Sequence, residues 1–169
     1  MNKVSILLLL AVMLAVAVAV PAWARETSST FSLNAGLQTN VISGTSFNKV
    51  AFTLDGRMGF SLGTHFEVSP EVMVVFSYTR LLGGSGGMIL YPGAMLNYRI
   101  RNIFVGAGAV LPWFFYGGEA DNDRVSPKVN VGYIFPNRIQ VTVYYLTIRK
   151  EYIDLFDLGF AGITFGYRF

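Results

Sequence analysis

Phe52, Leu54, Gly56, Met58, Phe60 and Leu62 alternate without a break with Thr53, Asp55, Arg57, Gly59 and Ser61. A period of two sends successive side chains to opposite faces of a strand. One face of this segment is therefore built for an apolar surrounding, and the other for a polar one that holds charge. The alternation recurs along the chain and predicts eight strands, near 29–41, 50–62, 66–79, 88–100, 103–116, 124–135, 139–148 and 158–169.

What meets the apolar face decides the fold. Hydrophobic residues make up 53% of the chain and charged residues only 14%, an unusual balance for a domain surrounded by water. Lipid is the alternative. Beyond residue 24 the longest apolar stretch, Ile103 to Tyr116, contains Gly106, Gly108 and Pro112, which suit a helix poorly. In lipid every backbone polar group must find its partner within the protein, so strands have to close on themselves. The predicted fold is all-β: an eight-stranded, antiparallel, up-and-down transmembrane barrel over residues 25–169.

The first residues read as a leader. Lys3 provides a positive start, Val4 to Val20 is an unbroken apolar run, and Ala22-Trp23-Ala24 follows Pro21. Small residues flanking that site fit a secretory signal peptide, 1–24, cleaved after Ala24. Its alternative is an uncleaved membrane anchor, which the proline and the cleavage box disfavour. Loss of Lys3 takes the net charge from +3 to about +2, too little and too scattered for nucleic acid. The chain has no cysteine and a single histidine, which excludes thiol chemistry and multi-histidine metal sites. No cofactor or metal is expected.

Connection lengths orient the barrel. Gly63-Thr64-His65, Arg101-Asn102 and Pro136-Asn137-Arg138 are tight turns, whereas 42–49, 80–87, 117–123 and 149–157 are longer. Short periplasmic turns opposite longer external loops place both termini in the periplasm. Outward aromatics fall near both strand ends. Phe60, Phe66, Tyr98, Tyr133, Phe135, Tyr167 and Phe169 gather toward the turns; Phe52, Phe76, Tyr78, Trp113, Phe115 and Tyr145 gather toward the loops. Two such girdles are an interfacial signature of these barrels.

The chain closes on Phe165-Gly166-Tyr167-Arg168-Phe169. A final Phe, with Tyr167 and Phe165 at alternate positions before it, resembles the C-terminal signal read by the barrel assembly machinery. With the length and strand number, the mature chain resembles small outer-membrane barrels of the OmpX and OmpW type. The resemblance implies a bacterial outer-membrane location and passage through periplasmic chaperones and the assembly machinery. Its surroundings would be outer-membrane lipid and lipopolysaccharide, with the barrel a monomer.

Hairpin register predicts the lumen. Arg57 should approach Glu71, and Glu67 should approach Arg99, with Asn97, Asn130, Gln140 and Arg168 around them. These charges read either as an ion path or as a paired structural plug, and the narrow bore of eight strands favours the plug. The external half is apolar: Met73, Tyr91, Val110, Phe114, Tyr116, Tyr144 and Leu146 point inward there. They would form a packed core or a pocket for a hydrophobic molecule. Pro92, Pro112 and Pro127 fall on consecutive strands of that half. Proline cannot donate to a ladder, so Pro112 and Pro127, which flank the seam between the fifth and sixth strands, would weaken it and let a lipid tail enter sideways. The bland reading is that each proline only bends or ends its strand.

His65 lies on a periplasmic turn, and no paired base and nucleophile occurs on the external side. The expected function is therefore structural or surface-related, without catalysis. Binding or uptake of a small hydrophobic molecule is the alternative, and a lipid-modifying enzyme the less favoured one.

Overall fold

The structure, a computed structural model, describes residues 29–41, 50–77, 87–116, 119–122, 124–147 and 159–169. The expected leader at 1–24, Tyr78 and most of the longer loops lie outside them. The described residues form ten strands: β1 Ser29–Val41, β2 Val50–Leu62, β3 Phe66–Ser77, β4 Met88–Ile100, β5 Ile103–Val110, β6 Trp113–Tyr116, β7 Glu119–Asn122, β8 Ser126–Ile134, β9 Ile139–Thr147 and β10 Gly159–Arg168.

These ten strands make eight staves, because β5–β6 and β7–β8 are each one stave interrupted. Every stave pairs antiparallel with its sequence neighbours, and β1 pairs with β10 from Ser32↔Arg168 to Val41↔Gly159. That last pairing closes the barrel. Around this ring each stave is paired on both sides, as lipid demands of a sheet, while the outer piece of the sixth, β7, is paired among the described residues on its β6 side.

The fifth and sixth staves depart from the expected continuous strands. Toward β4 the fifth stave keeps one register throughout: Gly93↔Val110 continues as Leu90↔Trp113, and the Leu111 amide donates to the Pro92 carbonyl at 2.8 Å. Toward the sixth stave the register slips. Val110 pairs with Ser126, yet Trp113 pairs with Asn122. Between these two pairs the fifth stave thus runs through two residues, Leu111 and Pro112, and the sixth through one more. The extra residue is a β-bulge, placed where Pro112 has no amide to continue the ladder. It also turns part of the expected 117–123 loop into β7.

Burial is inside out. Inward positions such as Thr53, Asp55 and Arg57 are buried, while outward Leu33, Leu54, Val105, Val131 and Phe165 are exposed. The exposed belt carries ring pairs at the turn end: Phe66 with Tyr98 at 5.1 Å, Tyr133 with Phe135 at 4.8 Å and Tyr167 with Phe169 at 5.0 Å. An apolar belt of this extent is a liability in water and a requirement in a bilayer.

Small residues let the bore accommodate large ones. Gly162 lies under the Tyr144 ring, whose atoms already occupy the place a Cβ would take. At Gly36 the obstacle is backbone, the carbonyl of Ile163 on β10, so no side-chain adjustment relieves it. Gly36→Ala should therefore destabilise the barrel by about 1–3 kcal/mol, the range for overpacking, measured by urea unfolding in detergent. An unchanged midpoint would contradict the close approach of β1 and β10.

Candidate functional site

Alternation sends one polar face of every stave into the bore, so the candidate site is the lumen itself. At mid-height Asp55 and Arg57 from β2, Glu71 from β3 and Lys128 from β8 meet. Arg57 forms an ion pair with Asp55, and its Nε lies 3.3 Å from Glu71. Lys128 donates to Glu71 from the opposite wall at 2.6 Å, and its ammonium stands 4.9 Å from the Tyr144 ring centre. The two cations and two anions cancel. All four side chains are buried, Lys128 completely. Such charges persist away from water only when paired and hydrogen-bonded. Asn34 extends the layer by donating to Asp55 at 3.3 Å, and Gln140 donates to Asn34 in turn.

Below this layer, at the turn end, Glu67 pairs chiefly with Arg168 of β10. Arg99 stands farther off, at 3.9 Å. The hairpin register gives Arg99 as the partner of Glu67; barrel closure supplies the nearer one. Ser69 donates to Glu67 at 3.1 Å and receives a bond from Asn97 at 3.0 Å. Between these groups and Arg57 lies a polar cavity of about 20 Å³, on the scale of a single water.

Above the ionic layer the character changes. Met73, Val75, Tyr91, Val110, Tyr144, Leu146 and Phe160 form one buried cluster, with Phe114 packed against it. Met73, Tyr91 and Leu146 have no exposed surface at all, so no water-sized space adjoins them. Five residues expected to line a hydrophobic pocket thus bury one another, and that half of the bore is a core. The Tyr144 hydroxyl is accommodated by Gln38, to which it donates at 2.9 Å. The Tyr116 side chain lies outside the described set.

The three prolines stand where expected along the chain, but their missing donors do not converge. In an antiparallel ladder each residue directs its amide to one neighbour only. Pro92 sits opposite Leu111, so its absent donor falls between β4 and the fifth stave. Pro112 faces the bulge. Pro127 pairs with Ala109 in the ladder that makes Val110 and Ser126 exchange bonds, which turns its nitrogen toward β9. Pro112 and Pro127 flank one seam by position, and only Pro112 subtracts a bond from it.

His65 is exposed on its turn, with Nδ1 2.6 Å from the Thr64 hydroxyl and its ring stacked on Tyr98. Among the described residues, no three or more His, Cys, Asp or Glu side chains are placed to hold a metal ion. Phe165, Tyr167 and Phe169, the residues expected to form an assembly signal, are exposed, so their rings lie on the barrel's outer face.

A closed eight-stave barrel, an apolar outer belt and a filled polar bore together define the fold of small outer-membrane β-barrels. Solved structures of that class match it. Neisserial surface protein A superposes with a TM-score of 0.59 at 15% identity, over 85% of this chain and 98% of that one. Ail, the attachment invasion locus protein of Yersinia pestis, determined in a phospholipid bilayer nanodisc, gives 0.52 at 13% identity over 84% and 100%. The outer membrane enzyme PagL gives 0.52 at 15% identity over 81% and 97%. At such identities the similarity is one of fold. No known family profile and no curated protein sequence matches the chain.

The ionic layer makes a direct prediction. Lys128→Met leaves Glu71 short of a partner inside the bore and should cost about 3–5 kcal/mol. Adding Glu71→Gln should recover most of that loss, because Arg57 and Asp55 remain paired. Urea denaturation of both variants in detergent measures it; equal destabilisation of the single and double variants would refute the coupling.

Proposed function

We propose that this protein is a bacterial outer-membrane barrel with a structural or surface-contact role, working without catalysis and without conducting solutes. One observation carries the reading: the neutral Asp55–Arg57–Glu71–Lys128 layer crosses the bore directly beneath the packed Met73–Tyr91–Leu146 cluster. An ion path needs water or replacement ligands along its length. Here the ligands of each charge are other fixed charges. With the bore filled, contact with surroundings falls to the outer belt, the turns and the loops. In this reading both termini are periplasmic and the barrel is a monomer. Outer-membrane lipid and lipopolysaccharide surround it once chaperones and the assembly machinery have delivered it.

The fold does not decide between roles, since a surface protein and an enzyme share it. The absence of catalysis in this reading rests on His65, which the turn holds at the end remote from the loops. Uptake of a hydrophobic molecule needs a void beside Met73 and Tyr91, and both are enclosed. Planar-bilayer recording tests the proposal. The purified barrel should insert without steady conductance; a stable open level that Lys128→Met alters would overturn it.

A further inference from the structure

The turn end carries a basic rim that the plug does not use. Its charged side chains, among the described residues, are Arg99, Arg101, Arg138 and Arg168 against Glu67 alone. Arg99 and Arg168 reach inward to that glutamate. Arg101 and Arg138 stand exposed on their turns, and neither has a carboxylate partner among the described residues.

Their backbones make these two arginines informative. Arg101 has φ 54° and Arg138 φ 66°, the left-handed region where glycine or asparagine is favoured. Tight hairpin turns fill such positions with those residues for that reason. The third turn follows the preference, with Gly63 at φ 70°. At the other two turns the chain accepts strain and keeps a guanidinium. Strain retained at an exposed position points to a use for the side chain.

The surroundings indicate the use. Tyr98, Tyr133, Phe135, Tyr167 and Phe169 form the exposed aromatic girdle at this end, and such girdles sit at headgroup level. Asn102, next to Arg101, donates to the Tyr133 hydroxyl at 3.4 Å. The Arg138 carbonyl receives the Arg168 amide at 3.0 Å, so the second turn is tied to the last stave. Both arginine-bearing turns are thus tied beside the girdle, at the level where phosphate oxygens lie, and the planar guanidinium fork suits bidentate binding to phosphate.

We propose that Arg101 and Arg138, in the positive field of Arg99 and Arg168, bind anionic phospholipid headgroups in the leaflet at the turn end. This rests on the reading above that the barrel spans a bilayer. The test uses spin-labelled phosphatidylglycerol and phosphatidylcholine with the full barrel in mixed vesicles at low salt. The wild type should prefer phosphatidylglycerol by about five-fold per arginine, the equivalent of about 1 kcal/mol each. Arg101→Gly/Arg138→Gly should lose that preference while holding or raising the urea midpoint, since glycine relieves the left-handed strain. Arg101→Lys/Arg138→Lys should keep most of it. A double glycine variant that inserts and retains the full preference overturns the proposal, as does a wild type that shows none. Loss of the preference to inorganic phosphate at constant ionic strength would assign the rim to free anions and overturn the commitment to headgroups. Failure of the wild type to insert, read from heat-modifiable migration, would overturn the spanning reading and this one with it; insertion without preference overturns this one alone.

Discussion

A strand in lipid has nowhere to place an unpaired amide, and the rest of this molecule follows from that constraint. Pairing of β1 with β10 turns an open sheet into a closed ring, and closure fixes a bore narrow enough for side chains to fill. Every inward residue then has to be reconciled with its neighbours across the barrel as well as along its hairpin. The two-residue alternation of the chain becomes an inside and an outside, with the apolar set on the outside.

The bore resolves that problem in two ways. In its loop half, Met73, Tyr91, Val110 and Leu146 simply pack. In its middle, four charges cancel, with Lys128 reaching from the far wall to Glu71. Charge here does not imply passage. A cation held 2.6 Å from its carboxylate and fully enclosed is a tie between staves three and six, which share no backbone ladder. The ionic layer therefore complements the hydrogen-bonded ring by linking walls that the ring leaves unconnected.

Much of this was legible from residues alone, and the exceptions have physical causes. Strands 29–41, 50–62 and 88–100 are bounded as the alternation indicates, because both faces there are strictly constrained. Arg57 beside Glu71 follows from the tight turn at 63–65, whose length fixes register. Lys128 was hidden because its partner lies three staves away, and hairpin register relates only neighbours. Arg168 reaches Glu67 through closure, a relation between the last stave and the third that no local pattern encodes. The register slip between Val110↔Ser126 and Trp113↔Asn122 was obscured for a different reason. Pro112 signals a defect, but the compensating residue sits on the other strand, within what reads as loop. Position along the chain also misplaces the effect of Pro127, because alternation within the regular β5–β8 ladder turns its nitrogen toward β9.

The ammonium protons of Lys128 report most directly on whether the bore is closed. Nuclear magnetic resonance of the barrel in micelles, with nitrogen-labelled lysine, follows their exchange with water. A closed ionic layer predicts a resolved Lys128 ammonium signal that exchanges slowly and disappears in Lys128→Met. An ammonium that exchanges as fast as an exposed lysine would contradict it, because water would then reach the centre of the bore.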